Sequence, residues 1–121
     1  MKKIISLKSI IFSLLLVTGS VSYSAPAIGS GTGANSIVAG EANEATEEKS
    51  LAFGYGNKAK GKYSSAFGYM NKANKEHSSA FGNSNEADGD FSSAFGVKNK
   101  ISGKWSSAFG NQYEVTGEKS G

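Results

Sequence analysis

The chain has 121 residues, room for one small domain, and a formal charge of +3 from 13 Lys+Arg against 10 Asp+Glu. All the basic residues are lysines, and Lys2, Lys3 and Lys8 precede any foldable segment; without them the chain is neutral, so a nucleic-acid-binding basic patch loses its main support. Cysteine is absent, which excludes a disulfide framework and a thiol nucleophile and leaves metal, oligomerisation or continuous backbone pairing to stabilise a small fold.

In chain order, the first element is a leader. Lys2 and Lys3 open it, residues 4–17 are mostly apolar, and small, turn-prone residues follow to Ala27. This tripartite layout predicts a signal peptide over residues 1–25, with an apolar run shorter than the ~20 residues a spanning helix requires. Cleavage is expected between residues 22 and 27; Ala25-Pro26-Ala27, Ser20-Val21-Ser22 and Ser22-Tyr23-Ser24 all have the small-x-small form.

Residues 26–49 read as degenerate first coils of a repeat. Ala27-Ile28-Gly29 looks like a short coil, and Ser36-Ile37-Val38-Ala39-Gly40, with Asn43 and Ala45 in phase, looks like a full one. Between them, Gly29-Ser30-Gly31-Thr32-Gly33 has the glycine density of a phosphate loop. It lacks the lysine and the following helix, and is read as a flexible lead-in loop.

Residues 50–121 are regular. Ser50-Leu51-Ala52-Phe53-Gly54 is followed by Ser-Ser-Ala-Phe-Gly starting at Ser64, Ser78, Ser92 and Ser106, always 14 residues apart, with the last unit broken off at Gly121. A unit that short cannot bury a core alone and has to be one coil of a stack. Glycine recurs at position five and mostly at position twelve (Gly61, Gly89, Gly103, Gly117), predicting corners with two strands of about 4–5 residues between them. Coils would then stack as parallel strands ~4.8 Å apart, like residue over like.

Alternation along the strands assigns the columns. Ala52, Ala66, Ala80, Ala94 and Ala108 at position three, and Ala59, Ala73 and Ala87 at position ten, suit the interior of a narrow coil. Phe53, Phe67, Phe81, Phe95 and Phe109 at position four then point outward, and a stripe of that kind is expected to be an interface with partner chains. A wider coil with the phenylalanines inside is the alternative. Asn57, Asn71, Asn85 and Asn99 at position eight are expected to form an amide ladder with a structural role.

The combination Ser-x-Ala-[apolar]-Gly, Ala at ten and Gly at twelve, in units of 14 behind a signal peptide, resembles the YadA-like (Hep_Hag repeat) heads of trimeric autotransporter adhesins. The resemblance spans roughly residue 27 to the end. It implies an all-β, left-handed parallel β-roll (a solenoid) that associates as a homotrimer on the bacterial surface and attaches to host matrix proteins, host receptors or other cells. Two departures stand out. Family repeats carry Ile or Val at positions two and four, where this chain has mostly Ser and Phe. After Gly121 no neck, heptad stalk or membrane anchor follows, so anchoring and self-export are not carried over. Localisation is accordingly expected at the cell surface or outer membrane, or as a secreted protein if the chain is complete.

Chemistry-bearing constellations are few. The single histidine, His77, occupies a column otherwise aromatic, and the serines recur as a repeat position rather than as one activated nucleophile. Asp88 and Asp90 occur in one unit only, unlike the recurring aspartates of calcium-binding rolls, so neither metal nor cofactor is expected and no enzyme activity. The candidate ligand surface is position fourteen: Tyr63, His77, Phe91 and Trp105, bracketed by Lys49 and Lys119, with Lys60, Lys62, Lys75 and Lys104 nearby. The alternative is that these rings shield the roll's edge or pack between protomers. The function expected is a multivalent adhesin head binding host matrix or cell-surface receptors. A structural spacer, or a remnant of a longer autotransporter, is the alternative.

Overall fold

The structure is a computed structural model that describes residues 27–120. The predicted signal peptide and Gly121 lie outside the described residues. Every regular element among those described is a strand, and the strands form a parallel solenoid of 14-residue coils.

Each coil contributes one long and one short strand. The long strands are β2 (Ile37–Glu41), β4 (Leu51–Tyr55), β6 (Ser65–Tyr69), β8 (Ser79–Asn83), β10 (Ser93–Val97) and β12 (Ser107–Asn111). They pair in parallel and in register, so that Ala66 sits on Ala80 and Phe67 on Phe81. The short strands are β3 (Glu44–Ala45), β5 (Lys58–Ala59), β7 (Lys72–Ala73), β9 (Glu86–Ala87), β11 (Lys100–Ile101) and β13 (Glu114–Val115), and they build the opposite wall. The predicted pair of 4–5-residue strands is thus corrected: the second strand has 2 residues, because its neighbours on both sides already turn.

Between the walls lies a narrow core. Ala52, Ala66, Ala80 and Ala94 from the long strands and Ala59, Ala73 and Ala87 from the short ones are all 0% exposed, and Ile101 is the one larger side chain among them. Flanking these are two buried polar columns. The position-one serines are enclosed; Ser50 Oγ donates to Glu47 O at 2.7 Å and Ser78 Oγ to Lys75 O at 2.6 Å, each pinning the preceding turn. The asparagines form the amide ladder: Asn71 Nδ2 lies 3.0 Å from Asn57 Oδ1, and Asn85 Nδ2 lies 3.0 Å from Asn71 Oδ1. Small apolar burial therefore holds the coil closed, and repeated hydrogen bonds lock each coil to the next.

The corners differ from the expectation of two glycines. Left-handed backbone occurs at position five (Gly68, φ 114°), at position seven (Met70, φ 55°) and at position fourteen (Tyr63, φ 58°), and not at position twelve. At positions seven and fourteen this geometry aims the N–H along the stack: Met70 N donates to Tyr55 O at 2.9 Å and Phe91 N to Glu76 O at 2.9 Å. Glycine at twelve has another cause. A Cβ on Gly61 would stand 1.9 Å from Lys75 O, so backbone approach between coils requires its absence.

The amino-terminal segment also departs from its reading as a short coil. β1 (Ala27–Ser30) pairs antiparallel with β2, Ile28 opposite Ala39, and so covers the first edge of the long-strand sheet. The edge strand at that end is therefore β1, four residues long and antiparallel to the rest of the sheet. The glycine run that follows is no loose lead-in: Thr32 N donates to Ala45 O at 2.9 Å, and a Cβ on Gly33 would meet Glu47 O at 2.1 Å.

Candidate functional site

Two aromatic columns run the length of the stack. The first is formed by Phe53, Phe67, Phe81, Phe95 and Phe109, on the outer side of the long-strand wall and outside the alanine core. Because the strands are in register, the rings lie face to face with centroids 4.7–4.9 Å apart, the separation of neighbouring strands. Stacking leaves all but the last half-buried; Phe109, with no ring above it, is 69% exposed. The stripe therefore covers its own faces and leaves a line of ring edges along the wall.

The second column stands on the turn at position fourteen. Tyr63, His77, Phe91 and Trp105 stack with centroids 4.8, 4.8 and 4.0 Å apart. Lys49 begins the row, its Nζ 5.5 Å from the Tyr63 ring centroid. Tyr63 and Phe91 are each 40% exposed and Trp105 is 56% exposed. Ring faces are again satisfied within the row, so what meets solvent is a rail of edges, with Trp105 the most exposed of the large hydrophobic side chains in it. Of the lysines expected beside this row, Lys104 pairs with Asp90 at 3.2 Å and Lys60 with Glu44 at 3.8 Å. Lys62 and Lys75 make no ion pair among the described residues. A shorter row, Tyr55 on Tyr69 at 5.4 Å, occupies position six.

Sequence reasoning names both columns but does not find the left-handed backbone that carries the second. Side chains on such a turn project away from the coil, which is why lysine, tyrosine, histidine, phenylalanine and tryptophan all occur there. Among the described residues no group of His, Asp and Glu is arranged to hold a metal ion. No helix of the described residues is long and apolar enough to cross a membrane.

Stacked coils, an interior of small residues and outward aromatic columns define a repeat protein of the solenoid kind. The chain matches the YadA head domain repeat over residues 32–57, 59–85 and 73–99, more than half its length, and it belongs to that family. It is accordingly an adhesin-type trimeric autotransporter head, a structural class and not an enzyme class. No curated protein and no solved structure matches it.

Proposed function

We propose that this head attaches bacteria to a host matrix protein or host-cell receptor, as a homotrimer exported by its amino-terminal signal and displayed outside the cell. The observation that carries the reading is the exposed aromatic rail of Tyr63, His77, Phe91 and Trp105, continuous over four coils and begun by Lys49. A fibrous ligand offers repeated groups, and a rail with one ring per coil meets it with repeated weak contacts. Three copies in one trimer multiply those contacts through effective concentration. The edges of Phe53, Phe67, Phe81, Phe95 and Phe109 are the surface on which the three chains meet, leaving the turn row free for the ligand.

The test replaces Tyr63, Phe91 and Trp105 by serine and measures binding of the trimer to immobilised matrix proteins and to epithelial cells. Adhesion should fall at least tenfold while the sedimentation of the trimer is unchanged. Unchanged adhesion by a folded trimer would sink the role of this row and leave the head as a spacer.

A further inference from the structure

On the short-strand wall, opposite the phenylalanines, the outward positions are nine and eleven, and thirteen follows on the turn. Position nine reads Glu44, Lys58, Lys72, Glu86, Lys100 and Glu114 from one end to the other. Position thirteen reads Glu48, Lys62, Glu76, Asp90, Lys104 and Glu118. At position eleven the two charged residues are Lys60 and Asp88. Charge is thus sorted by coil: the coil of residues 50–63 carries only lysines here, and that of residues 78–91 only carboxylates. The overall neutrality of the mature composition hides these bands.

We propose that this wall is a docking surface for a second copy of the same chain, running antiparallel, with its two-fold axis through the coil of residues 64–77. The axis lies along the strand direction, so each column faces itself with the order of coils reversed. Lys58, Lys60 and Lys62 then face Glu86, Asp88 and Asp90 of the other copy, column by column. Glu44 faces Lys100 and Glu48 faces Lys104 in the same way. By symmetry every such pair occurs twice. Like charges meet only on the axis itself, Lys72 on Lys72 and Glu76 on Glu76, and these two residues of the one coil are opposite in sign.

Other arrangements fit less well. Parallel copies at the same height bring one acidic band beside another and one basic band beside another, which is repulsive. A parallel pair staggered by one coil matches many charges but closes on no symmetry axis and leads to open filaments. Within a single chain the bands also interact, as in Lys58–Glu44 at 3.4 Å and Lys104–Asp90 at 3.2 Å. Those pairs are solvent-exposed and weakly held, so a facing copy can share them. A charged and polar face without an apolar centre makes a weak, salt-sensitive contact, one that gains strength when many copies are displayed together. The proposal concerns a different wall from the aromatic rail and stands independently of what the rail binds.

The experiment uses the full mature chain and follows sedimentation above whatever assembly the phenylalanine face produces. Association of the wild type should weaken at least tenfold between about 20 mM and about 300 mM salt, as the screening length shortens from well above to below the reach of paired side chains. The triple variant Lys58→Glu, Lys60→Glu, Lys62→Glu should lose self-association, as should Glu86→Lys, Asp88→Lys, Asp90→Lys. An equal mixture of the two should recover it to within about threefold of wild type, since each reversed band again faces its opposite. Orientation is read by cysteines added to a chain that has none: Thr46→Cys should cross-link to Ser102→Cys and not to itself, those positions being about 19 Å apart along the axis of one copy. Folded triple variants that associate like wild type, a mixture that fails to recover, or Thr46→Cys pairing with itself would each overturn the proposal.

Discussion

Removing one rung of the asparagine ladder tests what holds coil to coil. Asn71 is 0% exposed, and its Nδ2 is within hydrogen-bond distance of Asn57 Oδ1 (3.0 Å), Phe67 O (2.7 Å) and Gly82 O (2.7 Å). Its Oδ1 accepts from the backbone N and the Nδ2 of Asn85, both at 3.0 Å. Asn71→Ala removes that donor and acceptor together and fills none of the space. At least one carbonyl and the Asn85 N–H are left enclosed without a partner, and at about 1–3 kcal/mol for each such group the loss should be about 2–6 kcal/mol. The control is Asn74→Ala, where one partly exposed bond to Asp88 (2.6 Å) is lost and the cost should be about 0.5–1.5 kcal/mol. Urea unfolding followed by circular dichroism measures both. Coils touch only their neighbours, so amide exchange should quicken mainly in residues 50–91 and least in β12, three coils away. An Asn71→Ala protein within about 1 kcal/mol of wild type, or no worse than the control, would refute the view that the ladder is a principal inter-coil lock.

Gly68→Ala should destabilise in two ways, by holding a side chain at φ 114° and by setting a Cβ 2.2 Å from Gly82 O; the strain alone is worth about 1–3 kcal/mol, and an unchanged melting temperature would contradict it. The narrow interior makes opposite substitutions both harmful: Ile101→Ala should cost about 2–5 kcal/mol by opening a cavity at a fully buried site. Ala80→Leu, forced into a site that is 0% exposed, should cost about 1–3 kcal/mol or more by overpacking; equilibrium unfolding that ranked Ala80→Leu with wild type would show a wider coil than described, and one that ranked Ile101→Ala with wild type would show a coil that closes on the smaller side chain. Phe81→Ser should lower the sedimenting mass from trimer toward monomer while far-ultraviolet circular dichroism keeps its strand signature, and an unchanged mass would remove the phenylalanine column from the assembly surface.

Much of the fold was legible because the repeat has no insertions. A period of 14 with alanine at positions three and ten allows a narrow stacked coil and little else, since residues of that size fill only a thin core. The asparagine column was legible for the same reason: identical amides at strand spacing can hydrogen-bond along the axis. The turns were less readable. Tyr63, Phe91 and Trp105 have φ of 58°, 57° and 57°, a conformation bulky residues rarely adopt, so nothing in their identity announces a corner. Gly61 and Gly103, conversely, look like corners and are spacers, kept small by a neighbouring coil's carbonyl.

By itself, then, the sequence determined the repeat, the stacking and the composition of each column, because those follow from periodicity and side-chain size. Only the tertiary structure decided where the backbone turns, that Ala27–Ser30 folds back antiparallel over the first edge, and that the stacked rings spend their faces on one another. These depend on contacts between coils, which are 14 residues apart in the chain but one strand spacing apart in space.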